Sequence, residues 1–115
     1  MSSNKDWTLR IRHILDSIAK IQKYIEGLSR GAFESNSMAI DAVVRNFQII
    51  GEAVRHIPNE VQAAHPEVPW TEMRAMRHVL VHRYEAVDIE TVWTTASVDL
   101  PPLVPILINL LDEEK

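Results

Sequence analysis

The 115-residue sequence contains no cysteine, which excludes disulfide frameworks, thiolate zinc sites and thiol nucleophiles together. That absence fits a reducing compartment, and the expected location is cytoplasmic. No apolar run approaches the roughly 20 residues a membrane helix needs; the stretch LVPILINLL near the C-terminus is short and carries Pro105. The opening MSSNKDWTLRIRHIL has no continuous apolar segment, which argues against a secretory signal. Positive charge is also short: 12 Lys and Arg face 16 Asp and Glu, a formal net charge of −4. Such a balance argues against coating nucleic acid or membranes by bulk charge, so any phosphate recognition has to be local. No repeat, low-complexity tract or composition break interrupts the chain, and one domain is expected over residues 1–115.

What the sequence does contain is a helical core pattern. Hydrophobic residues make up 46% and charged residues 24%, enough to build a packed interior. Trp7, Ile11, Ile14, Ile18, Ile21, Ile25 and Leu28 advance by steps of four and three, with Gly27 and Gly31 as the expected end of that helix. Ile40, Val43, Phe47, Ile50, Val54 and Ile57 repeat the pattern behind a cap at Ser35, Asn36 or Ser37, and Pro58 closes it. Gly51 falls inside this second helix, where glycine costs about 1 kcal/mol against alanine; a close helix crossing would account for it. Pro58, Pro66 and Pro69 bound a connector with one short helical turn, and Thr71 is the expected cap of the next helix. A short helix around Val92 and Trp93 follows, and Pro101 and Pro102 suit the first turn of a last helix lined by Leu103, Ile106, Leu107, Leu110 and Leu111. No segment alternates long enough for a strand. The expected fold is all-α, an up-and-down bundle of four or five helices.

The helix expected after Thr71 carries RAMRHVLVHRYEAVD, which gathers Arg74, Arg77, His78, His82, Arg83 and Tyr84 in an otherwise acidic chain. At about 100° per residue, Tyr84 falls about 20° from Arg77 and His78 follows on the same side, with His82 about 140° away. Met76, Leu80 and Val87 gather opposite, and Arg83 projects toward the core side. Histidine exchanges protons near neutral pH. A guanidinium binds phosphate oxygens through two parallel hydrogen bonds. One of each on a rigid helix suffices to cleave RNA through its own 2′-hydroxyl, with no cofactor. The same groups also fit a solvated helix face. His78 and His82, one turn apart, have the spacing of two metal ligands, but no third is evident, and no metal is expected.

From about Leu9 to Leu111 the sequence resembles the HepT-like members of the HEPN superfamily. The motif carrying the resemblance is Arg, four residues, His, one residue, Tyr, present as RHVLVHRY with Arg77, His82 and Tyr84. Supporting segments are LRIRHILDSIAKI, DAVVRNFQIIGEAV, PEVPWTEMRAMRH and the late VW. The resemblance implies a homodimer that brings two motifs into one cleft. It implies a metal-independent endoribonuclease, the toxin of a type VII-like toxin–antitoxin pair. Its partner would be an MNT-type nucleotidyltransferase antitoxin that transfers AMP from ATP to the motif tyrosine. Carried over, Arg77 and His82 are catalytic, His78 assists, and Tyr84 is the AMPylation site. Glu52 shares a helix face with Arg45 and Gln48; it could orient Arg77 as a supporting residue, or belong with Arg45 to a surface charge pattern. Two rival readings remain open: a non-catalytic HEPN module that binds nucleotide or its partner, and a plain dimeric helical scaffold.

Overall fold

Trp7, Ile11, Ile14, Ile18 and Ile21 form one unbroken buried face along α1 (Asp6–Ile25). The computed structural model of the chain describes residues 6–78 and 86–113, the side chains of 86–88 excepted. Each fully buried aliphatic side chain of this kind contributes about 1.5–3 kcal/mol of transfer free energy. The face packs along α3 (Ser37–Arg55), whose Ile40, Val43, Phe47, Ile50 and Val54 are buried against it. Asn36 is the cap of α3: its side-chain oxygen accepts from the Ala39 amide at 3.0 Å. Of the three candidate caps, this is the one with an extended backbone.

The end of α1 differs in detail from the sequence expectation. The helix stops at Ile25, and Gly27 turns the chain at a φ of 79°, a conformation that glycine adopts without strain. Gly31 does not terminate anything; it lies inside a short helix, α2 (Arg30–Glu34), capped by the Ser29 hydroxyl on Ala32 N. A five-residue helix is too short to show periodicity. It is held by Phe33, fully buried and 5.2 Å in ring-centroid distance from Trp93, and by an Arg30–Glu90 ion pair at 3.4 Å.

The connector contains the expected turn as α4 (Asn59–Ala64). Next, α5 (Trp70–Ala75) begins two residues earlier than a Thr71 cap would place it. Met73 N donates to Pro69 O at 3.0 Å, and the buried Trp70 donates its indole N–H to His65 O at 2.9 Å. Pro69 is therefore the cap position and Thr71 lies within the first turn. After Ala75 the helix tightens into a 3₁₀ turn, Met76–His78.

The remaining elements are α6 (Ala86–Thr94), a π-helical segment (Thr95–Asp99) and α7 (Leu103–Glu113). Leu100 N bonds back to Thr95 O at 3.0 Å. This wider turn lets Val92, Ala96, Leu100 and Leu103 all face the core. Pro101 and Pro102 occupy the turn immediately before α7, whose Leu107 and Leu110 complete the interior, with Ile106 and Leu111 half-buried at its margin. Among the described residues there is no strand, and no single helix is long and apolar enough to cross a membrane. The architecture is the all-α bundle expected, with short helices added between the long ones.

Candidate active site

Arg77 is placed by a backbone contact rather than by its own side chain. The 3₁₀ turn crosses α3 directly over Gly51. A Cβ added to Gly51 would collide with the Arg77 amide nitrogen and lie 2.7 Å from Arg77 Cβ and 2.9 Å from the Arg74 carbonyl oxygen. Only a residue without a side chain permits this approach. The mid-helix glycine thus marks a close crossing, and the element that crosses is the one carrying Arg77.

From that crossing the Arg77 side chain, 31% exposed, enters a groove of about 580 Å³ between α1 and α3. Arg10 and His13 line it from α1; Arg45, Gln48 and Glu52 line it from α3. Among the described residues, three guanidiniums share this space with a single carboxylate, in a chain whose net charge is −4. Glu52, expected either to orient Arg77 or to belong with Arg45 to a surface charge pattern, thus stands with Arg45 and Arg77 in one groove.

Glu52 is only loosely engaged with Arg77, Oε1 to Nη1 at 3.8 Å. Its nearer partners are Arg55 Nη1, at 3.3 and 3.0 Å from the two carboxylate oxygens, and His56 Nε2 at 3.3 Å. Desolvation pushes the carboxyl up. The Arg55 and His56 hydrogen bonds, with the charges of Arg55 and Arg77, outweigh it and hold Glu52 below its ordinary value. A lowered folded-state value means that the carboxylate stabilises the fold above its unfolded pKa and ceases to do so as pH falls through the folded one. The melting-temperature difference between wild type and Glu52→Gln should accordingly be largest near neutral pH and vanish in acid. A difference independent of pH would show that Glu52 contributes no charge interaction. Because Glu52 is half exposed, the difference should be small.

His78 goes elsewhere. Consecutive residues point about 100° apart on an α-helix and about 120° apart on the 3₁₀ turn, and here that separation sends the two side chains to different grooves. His78 is exposed at the rim of a separate, mainly apolar cleft of about 540 Å³, lined by Met73, Met76, Leu100 and Leu103 with Glu72 and Asp99. The two residues adjacent in the motif therefore face different grooves. His82, Arg83 and Tyr84 lie outside the described residues, as do Leu80 and the side chain of Val87. Among the described residues no group of three His, Asp or Glu side chains converges as a metal site.

Arg10 and His13 were not singled out by the sequence. The available signal was positional: each flanks the buried Ile11 and Ile14, one turn apart on the polar margin of α1. Arg45, Gln48 and Glu52 hold the same relation to the α3 stripe. Nothing in one sequence says that these two margins face each other.

The family described as ribonuclease HepT-like matches residues 14–110. A Thermococcus cleftensis protein named as a probable ribonuclease HepT is 37% identical over 101 residues, covering 88% of this chain and 89% of the relative. A Caldanaerobacter subterraneus protein, provisionally named an RNase, is 33% identical over 105 residues, covering 91% and 94%. A Methanocaldococcus jannaschii protein, named as a γ-glutamylcyclotransferase and provisionally an RNase, is 32% identical over 109 residues; the match covers 95% of this chain but only 49% of that relative. No solved structure matches the chain.

Proposed function

Because the chain belongs to the ribonuclease HepT-like family, we propose that it is a metal-independent endoribonuclease and the toxin of a type VII-like pair, silenced by an MNT-type nucleotidyltransferase that adds AMP to Tyr84. The observation that carries this reading is the groove: Arg77 stands beside two further guanidiniums in an acidic protein, the local electropositive site that a phosphodiester substrate needs. In the proposed reaction His82 takes the proton of the RNA 2′-hydroxyl. The 2′-oxygen attacks the adjacent phosphorus, the bond from phosphorus to the 5′-oxygen breaks, and that oxygen takes a proton from water while His82 returns its own to solvent. The products are a 2′,3′-cyclic phosphate and a 5′-hydroxyl. Arg77 holds the non-bridging oxygens as charge grows on them. His78, which lines a different groove from Arg77, serves this chemistry only indirectly or from a second protomer, in a homodimer that brings two motifs to one cleft.

In the regulatory step the Tyr84 phenolic oxygen attacks the α-phosphorus of ATP. Pyrophosphate leaves and the phenolic proton is released. The new phosphodiester is an anion able to occupy Arg77, so modification excludes RNA without unfolding the protein.

The purified protein, incubated with single-stranded RNA in excess EDTA, should leave 2′,3′-cyclic phosphate ends, and His82→Ala should not. Treated with the nucleotidyltransferase, ATP and Mg²⁺, wild type should gain AMP by intact mass and lose cleavage, whereas Tyr84→Phe should keep cleavage and gain none. Full activity in a folded His82→Ala protein would remove the nuclease reading. AMP transfer onto a wild-type protein that never cleaves RNA would favour the non-catalytic module. Equal incorporation into wild type and Tyr84→Phe would remove Tyr84 as acceptor.

A further inference from the structure

Arg10 is half-buried in the groove, one turn from the half-buried His13 on α1. Among the described residues no carboxylate lies within ion-pair distance of Arg10, nor of Arg45 on the opposite wall. Arg30 and Arg55 give the contrast, while Arg12 and Arg74, which also have no ion pair among the described residues, are exposed where Arg10 is half-buried. Arg30 pairs with Glu34 and Glu90, and Arg55 with Glu52, although all of these side chains are about half exposed. The acidic residues outnumber the basic ones, so a partner for Arg10 would have been easy to supply. Instead the one carboxylate in the groove is held by Arg55 and His56 at its edge. The result is a half-buried guanidinium, Arg10, and an exposed one, Arg45, on opposite walls of a groove whose carboxylate, Glu52, is engaged by Arg55 and His56.

We propose that Arg10, with His13 beside it and Arg45 opposite, forms a second phosphate subsite that holds an RNA backbone phosphate next to the one at Arg77. This rests on the ribonuclease reading and deepens it. A strand whose scissile phosphate sits at Arg77 continues through the same groove. The next groups it meets there are planar donor forks suited to phosphodiester oxygens, the Gln48 amide and no unengaged carboxylate. Backbone contacts of this kind carry no sequence information; they fix the register of the strand and make binding salt-dependent. Arg10 is thus a substrate-binding residue whose contribution grows with substrate length.

Binding is read with a single-stranded RNA made non-cleavable by 2′-O-methylation, and turnover with a dinucleoside monophosphate and a short oligonucleotide. Arg10→Ala should weaken oligonucleotide binding about tenfold or more, the loss of a charge-assisted hydrogen-bonding pair. Its log–log salt slope should be shallower by about 0.7, the value for one phosphate contact on a single strand. Its rise in KM should be far larger on the oligonucleotide than on the dinucleoside monophosphate, with kcat less affected than KM. Arg12→Ala, on the exposed face of α1 outside the groove, is the control and should match wild type. Arg10→Gln removes the charge but keeps a polar, unbranched side chain that suits a helix, and should reproduce the loss if Arg10→Ala folds poorly. Equal binding and salt slope in Arg10→Gln and Arg12→Ala, with a wild-type protein that cleaves RNA, would overturn the subsite alone. An equal loss on both substrates would overturn it too, by tying Arg10 to the chemical step or the fold. A wild-type protein that neither binds nor cleaves RNA would overturn the subsite together with the ribonuclease reading on which it rests.

Discussion

Replacing Arg77 with alanine should lower RNA cleavage by about a hundredfold to a thousandfold, the effect of removing one donor that stabilises developing charge. The protein should stay folded. The close crossing at Gly51 involves the Arg77 amide and Cβ, both of which an alanine retains. The part removed lies in an open groove, and its only ion pair among the described residues is the long contact of 3.8 Å to Glu52. Arg77→Lys should recover a minor share, because a point charge replaces a two-pronged fork. Single-turnover cleavage beside a far-ultraviolet circular dichroism spectrum measures both halves. Loss of cleavage together with loss of helicity would assign Arg77 a structural role, and undiminished cleavage by a folded variant would exclude it from the reaction.

The long helices were legible because burial repeats along a helix at a spacing that the residue types record. Ile11, Ile14 and Ile18 on α1, and Val43, Phe47 and Ile50 on α3, are buried as that spacing requires. Gly51 was legible for a different reason: an unfavourable residue in mid-helix calls for a compensating contact, and the contact is there. What could not be read was any departure from regular helical geometry. The 3₁₀ turn at Met76–His78 has no sequence signature of its own, nor does one sequence say that Arg77 and His78, neighbours on it, line different grooves. The π segment at Thr95–Asp99 is another such case; it follows from packing Ala96 and Leu100 into the same interior. The α1 wall of the site was equally hidden. Arg10 and His13 meet Arg45 and Arg77 only through the pairing of α1 with α3, a contact between segments far apart along the chain.

Gly51→Ala joins stability to function, and its sign is the informative part. Helix propensity alone predicts that alanine in place of a mid-helix glycine stabilises by about 1 kcal/mol. The crossing predicts the reverse. The new methyl group would meet backbone atoms of Arg74 and Arg77, at 2.9 Å for the Arg74 oxygen, and backbone cannot swing aside as a side-chain tip can. Relief requires the turn to move off α3, at a cost of about 1–3 kcal/mol for such overpacking. The melting temperature should therefore fall despite the better helix former. Moving the turn also moves Arg77 away from the groove, and a displacement of about 1 Å at a reacting centre can cost a hundredfold in rate. Cleavage by Gly51→Ala, measured well below its melting temperature, should accordingly drop with helicity intact. Gly31→Ala is the matched control: that glycine is also helical, but a methyl group there meets nothing within 4 Å, so propensity acts alone and stability should rise slightly. A Gly51→Ala protein as stable and as active as wild type would mean that the turn carrying Arg77 does not rest on α3 at this point.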